Sequence, residues 1–181
     1  MGMRVRAVGY REERGKHMSK KIETERLILR NFEPTDLDGL HQLLTDKDAM
    51  YYVDMDIPQT IEDTARILVH LMANDDGQYF CIEDKQTGDF VGRIGYKGSM
   101  MGFMLLPSQN GKGYAGEAGR AVVDYAFDQG GLAQLSAGCY KDNIAMQKLL
   151  AKLGFAEDSV TVEVKEHHGA LKEKLIYTIA R

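Results

Sequence analysis

The segment Gln109-Asn110-Gly111-Lys112-Gly113-Tyr114-Ala115-Gly116-Glu117-Ala118 places three glycines between a strand-like run and an amphipathic helical one. Glycine reaches backbone conformations closed to other residues, so the pattern predicts an abrupt strand-to-helix turn. Such a turn presents successive backbone N–H groups at a helix start, where the positive end of the helix dipole adds to them. A pyrophosphate fits a site of that kind. Taken alone, the loop is explained equally well by glycines that only shape the turn.

Two familiar phosphate loops do not fit. The spacing Gly111-x-Gly113-x-x-Gly116 matches the dinucleotide fingerprint, but that motif needs an acid about 20 residues on, and Gln134 stands there. Only 65 residues follow Gly116, too few for the rest of a doubly wound sheet. A nucleoside-triphosphate loop fails because Leu106 stands five residues before Gly111 and Gly113 replaces the metal-binding Ser or Thr.

The surrounding pattern is a mixed α/β order. Arg26 to Arg30 alternate polar and apolar as a first strand, and Thr35, Asp36 and Asp38 announce a helix with Leu37, Leu40, Leu43 and Leu44 on one face. Pro58 and Thr60 open a second helix that ends near Asn74 to Gly77. Tyr79 to Glu83, Phe90 to Tyr96 and Met100 to Leu105 read as an antiparallel meander split by turn residues. A helix bearing Ala118, Ala121, Val122, Tyr125 and Ala126 follows the glycines, then a buried strand over Leu132 to Tyr140. Asp142 or Asn143 caps a last helix that Gly154 stops, and Ser159 to Val164 pairs with Leu171 to Ile179. The expectation is a sheet of about seven strands with about four helices.

At 181 residues the chain fits one domain, placed at 22–181 behind a basic extension over 1–21. The extension lacks periodicity, and Met18, which opens into the first patterned stretch, is the expected natural start. It carries seven Lys or Arg against two acids, so with a total of −4 the remainder holds −9. That acidic body argues against nucleic-acid binding and suits a cationic acceptor. The apolar runs are too short to span a bilayer, and neither a signal-peptide core nor a transit-peptide composition follows the basic start. Cys81 and Cys139 lack metal-ligand spacing and read as reduced, structural thiols, so a cytoplasmic protein without metal is expected.

Glu23-Thr24-Glu25-Arg26-Leu27-Ile28-Leu29-Arg30, Val91-Gly92-x-Ile94-Gly95, Gly102-Phe103-Met104-Leu105, Gly111-Lys112-Gly113-Tyr114-Ala115 and Asn143 to Phe155 occur in that order. In this the chain resembles the GCN5-related N-acetyltransferases (GNAT), and among them the ribosomal-protein alanine acetyltransferases, over roughly Ile22 to Ile179. The resemblance implies the GNAT fold, acetyl-CoA as co-substrate, an amine acceptor, and a monomer or homodimer. It implies that the strand Gly102 to Leu106 splays from its neighbour and that Met104, Leu105 and Leu106 offer backbone hydrogen bonds to pantetheine. Gly111, Lys112, Gly113, Tyr114, Ala115 and Gly116 would take the pyrophosphate. Asn143 would hold pantetheine or a water near the thioester, although helix capping alone accounts for an Asn there. Lys148, further along that helix, would reach the nucleotide end, although a lone Lys is usually a solvated surface residue.

Departures from the family pattern bear on mechanism. Asn110 replaces the usual Gln or Arg, Leu150 stands where many relatives carry a Tyr acid, Met146 replaces a Ser, and Met100 replaces a carboxylate. No catalytic acid or base is named. A Lys acceptor of pKa about 10.4 costs roughly 4 kcal/mol to neutralise at pH 7.4, whereas an α-amine of pKa about 7.7 to 8.0 costs well under 1 kcal/mol. The missing base therefore points to an α-amine or other low-pKa acceptor, by direct attack with a strand amide near Leu105 or Leu106 as oxyanion site. Glu83, Tyr96 and Tyr140 lie on strands that could border the acceptor, though a packed or surface role explains each better, and a polar hairpin tip explains the pair His167-His168 equally well. A small-molecule amine acetyltransferase and a non-catalytic acyl-CoA sensor stay open as alternatives.

Overall fold

A computed structural model describes residues 21–74, 77–167 and 170–181. Its strands are β1 (Lys21–Glu23), β2 (Leu27–Arg30), β3 (Gln78–Asp84), β4 (Phe90–Lys97), β5 (Met100–Leu105), β6 (Gln134–Tyr140), β7 (Ala156–His167) and β8 (Ala170–Ala180). The helices are α1 (Leu37–Thr45), α2 (Lys47–Met50), α3 (Ile61–Ala73), α4 (Tyr114–Asp128) and α5 (Ile144–Leu153). The strands form one sheet in the order β1-β2-β3-β4-β5-β6-β8-β7, in which β5 and β6 run parallel and every other pair antiparallel.

This is the mixed, mostly antiparallel sheet expected, with eight strands and five helices among the described residues in place of about seven and four. The additions are short. β1 has three residues and so shows no usable periodicity, and α2 is four residues started by Asp46, whose side chain accepts the Asp48 and Ala49 amides at 2.9 Å. The first helix also starts later than expected. Pro34–Asp36 form a 3-10 turn capped by Glu33, because Asp36 turns back to Arg30 and to the Glu33 amide. The basic extension and the Met18 start lie outside the described residues, as does His168.

Alternation along the strands divides the core between two faces. Phe80, Ile82, Ile94 and Met101 join α4 and α5 through Val122, Ala126, Leu150 and Leu153. Cys81, Met104 and Leu106 point the other way, to Leu40, Leu43, Leu44, Leu68 and Leu71 of α1 and α3. The apolar stripes expected of α1 and α4 are the sides buried, with Leu40, Leu43 and Leu44 on one and Ala118, Ala121, Val122 and Ala126 on the other.

The feature that positions the site is a failure of pairing. β6 matches β5 only at Met100↔Ser136 and Met101↔Ala137, and beyond them no partner residues are registered. The sheet opens between its parallel strands, and the loop before α4 stands beside the opening.

Candidate functional site

Gly111 and Gly113 have φ of 77° and 83°, the left-handed region that costs an L-residue roughly 1–2 kcal/mol. Their conformation explains both without any ligand. Gly116 is different. It lies in the first turn of α4 without positive φ, and an added Cβ would meet nothing nearer than Leu149 at 3.8 Å. A helical glycine costs about 1 kcal/mol relative to alanine, and neither packing nor φ requires this one. A glycine there leaves the backbone of the first turn open to close approach from the cavity side.

The loop opens α4 with its amides unspent. The Glu117 amide donates to the Gly113 carbonyl at 3.2 Å, and the amides of Tyr114, Ala115 and Gly116 precede that first helical bond. A brace holds the turn from behind. Arg26 donates to the Lys112 carbonyl at 2.8 Å and to Glu117 at 2.7 and 2.8 Å, and its guanidinium lies 4.9 Å from the Tyr114 ring centre. Glu117 also accepts from the Thr24 hydroxyl at 2.5 Å and the Arg26 amide at 2.7 Å. Burial pushes the Glu117 carboxyl up, but Thr24 and Arg26 outweigh it and hold the group below the usual range. Tyr114 donates to Asp84 at 2.5 Å, which lowers the Asp84 carboxyl. The sequence placed Arg26 in a motif but gave no sign of this role, because its partner lies 91 residues away.

A cavity of about 1000 Å³ fills the opening between β5 and β6. Of the expected site residues, Met104, Leu105, Gly111, positions 113–116 and Asn143 border it, whereas Leu106, Lys112 and Lys148 do not. Lys152, one turn beyond Lys148, borders it instead. The Leu106 amide corrects the oxyanion assignment, since it donates to the Val91 carbonyl at 3.0 Å and is committed to β4. Antiparallel alternation then turns the Leu105 amide to the opposite, open edge. The Asn143 side-chain oxygen caps α5 on the Met146 amide at 3.1 Å, so the capping role is real, and its Nδ2 has no partner among the described residues. Lys112 donates to the Gln109 side chain at 2.7 Å beside the loop.

The far arm of the cavity is made by the segment between α2 and α3. Tyr52, Val53 and Asp54 border it. Asp54 accepts from Tyr140 and from Lys174, the latter at 2.5 Å. Tyr140 thus borders the cavity with its hydroxyl engaged, whereas Glu83 is bound to Arg30 at 2.8 Å and lies outside the lining. Tyr96 reaches the wall, but its hydroxyl is buried beside Gly130 at the far end of α4. Burial pushes the Cys139 thiol up to about 11, which favours its protonated form. No metal-binding group occurs among the described residues. His167 keeps its place at the end of β7, with its side chain outside the described set.

The description "Acetyltransferase (GNAT) domain" matches residues 26–156. The chain is 25% identical over 170 residues to an N-acetyltransferase of Bacillus subtilis, YoaA, covering 88% of this chain and 96% of that one. A GNAT-family acetyltransferase structure from Bacillus anthracis superposes with a TM-score of 0.78 at 26% identity, over 88% of this chain and 98% of that chain. A spermidine N-acetyltransferase of Vibrio cholerae, solved with CoA and spermine, has the same fold, with a TM-score of 0.78 at 20% identity over 87% and 96% of the two chains.

Proposed function

Because the chain belongs to the GNAT acetyltransferase family, we propose that it transfers the acetyl group of acetyl-CoA to a primary α-amine by direct attack, at the opening between β5 and β6. The observation that carries this reading is one continuous cavity, bordered at one end by the α4 amides and Gly116 and at the other by Asp54 and Tyr140. The pyrophosphate takes the α4 amides, and pantetheine runs along the open edge of β5. The Leu105 amide polarises the thioester carbonyl, where negative charge develops as the amine adds. The amine nitrogen bonds to the acetyl carbon, the C–S bond breaks, and the thiolate takes a proton from water or the product ammonium.

An α-amine suits the site because it needs little help to lose its proton. Asp54, held by a lysine and a tyrosine, is better placed to attract an ammonium group than to deprotonate it. Asp48 on the same wall adds to that attraction and favours, as a second reading, a cationic small-molecule amine. The unit that acts is residues 22–181, as a monomer or homodimer, with 1–21 an extension. The free cysteines Cys81 and Cys139 support a reducing, cytoplasmic setting.

The test is acetyl-CoA binding by calorimetry in the wild type and Gly113→Glu, followed by thiol release with N-terminal peptides, lysine peptides and polyamines. Binding lost in the variant, with turnover on the α-amine peptides, is expected. Absence of binding overturns the reading, and turnover only on polyamines replaces it with the second.

A further inference from the structure

Arg93 is the side chain of this cavity for which the chain itself supplies no use. It sits in a cross-strand row, Arg30 on β2, Cys81 on β3, Arg93 on β4 and Met104 on β5, each directly opposite the next. Directly opposed residues share a face, and this one is covered by α1, α3 and the segment before α3. Within it the Arg93 Nε donates to the Met104 sulfur at 3.3 Å and its Nη2 to the Met55 sulfur at 3.8 Å. Those thioethers are its only hydrogen-bond acceptors among the described residues.

A guanidinium has five N–H donors in a planar fork, and a thioether is a weak acceptor. Burial pushes the group below its ordinary pKa, yet an arginine stays charged at neutral pH. A cation withdrawn from water without a carboxylate is costly, and a methionine or leucine would pack against two thioethers at less cost. Structural duty therefore does not explain the residue. Its place in the cavity wall does.

The neighbouring segment fixes which arm it serves. Met55 touches Arg93 on β4, while Asp54 next to it is held by Tyr140 on β6 and Lys174 on β8. These adjacent residues bridge the open seam, so an acceptor entering there meets a guanidinium on one side and a carboxylate on the other. A polyamine would bring a second positive charge toward an uncompensated one. An amine whose carrier also bears an oxyanion matches both groups.

We propose that Arg93 is a specificity-determining residue of the acceptor arm, which takes a carboxylate or phosphate borne by the same molecule or peptide terminus that supplies the amine. The inference rests on the transfer reading above. It narrows the acceptor to amines carrying a planar or tetrahedral oxyanion, the groups that a guanidinium fork binds in pairs of hydrogen bonds.

The experiment uses acceptors matched in pairs: a dipeptide as free acid and as amide, tetrapeptides with Glu or Gln at the second position, and O-phosphoethanolamine with ethanolamine. Thiol release gives kcat/KM for the wild type, Arg93→Met and Arg93→Lys, and calorimetry gives the acetyl-CoA Kd of each. One anionic member should exceed its neutral partner by about tenfold or more in the wild type, with most of that advantage gone in Arg93→Met and partly restored in Arg93→Lys. The peptide and phosphate pairs tell carboxylate from phosphate. Equal rates within every pair, or an equal loss on both members in Arg93→Met, overturn the proposal.

Failure of the wild type to bind acetyl-CoA would instead defeat the transfer reading. Where acetyl-CoA binds but no amine is turned over, the thermal midpoint of the CoA-loaded protein with the free-acid dipeptide decides. A rise that Arg93→Met lacks supports the proposal, and no rise in the wild type overturns it. A purely structural Arg93 would show as a lower urea midpoint in ligand-free Arg93→Met, which also counts against the assignment.

Discussion

Arg30 and Arg93 occupy the same row of the sheet, two strands apart and on the same face, and they are treated in opposite ways. Arg30 donates two bonds to Asp36 and one to Glu83, all at 2.8 Å, and the Asp36 bonds foremost raise its pKa. Asp36 is 5% exposed and in turn accepts the Glu33 amide, so the ion pair ties β2 to the turn before α1. Arg93 receives two sulfur atoms and, among the described residues, no carboxylate. The same residue type in the same row is thus closed off in one place and left open in the other. The open one borders the cavity. A largely desolvated charge with no carboxylate partner among the described residues is what motivates the proposal that a ligand's charge belongs beside it.

The largest expected effect tests that contrast. Arg30→Met should cost about 3–5 kcal/mol in urea unfolding, because it strands the buried Asp36 carboxylate, whereas Arg93→Met should be neutral or stabilising. Equal losses would break the comparison. The other arm of the cavity gives the next effect. Gly116→Ala should stabilise the ligand-free protein by about 0.5–1 kcal/mol and yet weaken acetyl-CoA, since the added methyl stands where the ligand comes close.

A smaller effect concerns the brace. Glu117→Gln should weaken acetyl-CoA severalfold by loosening Arg26 and the loop, measured by calorimetry. Because the folded Glu117 carboxyl lies below the ordinary value of 4.5, its contribution is complete above that value and is lost as pH falls through the folded pKa. Stability of the wild type should therefore fall more steeply than that of Glu117→Gln below that point. The smallest effect is expected of Lys148→Ala, which should change acetyl-CoA affinity by less than about twofold, as an exposed lysine outside the lining. A larger loss would return Lys148 to the site.

What was legible in the sequence follows from how far its signals reach. The meander, α4 and the cap-to-stop span of α5 were read from patterns of a few residues, and Thr60, Asn143 and Gly154 act as the caps and stop they resembled. The glycine loop was legible because glycine at Gly111 and Gly113 reports a local conformation. Arg93 was not, since in Phe90-Val91-Gly92-Arg93-Ile94 it reads as the solvent-side residue of an alternating strand. Tertiary packing covers it, including Met55 from 38 residues away. The same distance problem hid the bond between Arg26 and Glu117, whereas the parting of β5 from β6 was implied by the family resemblance and not by the residues of either strand. Local chemistry gave the glycine-loop arm of the cavity, and tertiary contacts gave the arm proposed for the acceptor.

The most direct test of a two-armed cavity is a calorimetric titration of acetyl-CoA into the wild type, Gly116→Val and Arg93→Met. The account predicts micromolar binding to the wild type, an affinity at least about tenfold weaker in Gly116→Val, equivalent to about 1.4 kcal/mol, and an unchanged affinity in Arg93→Met. Equal binding by the glycine variant, or loss of binding in the arginine variant, would contradict it.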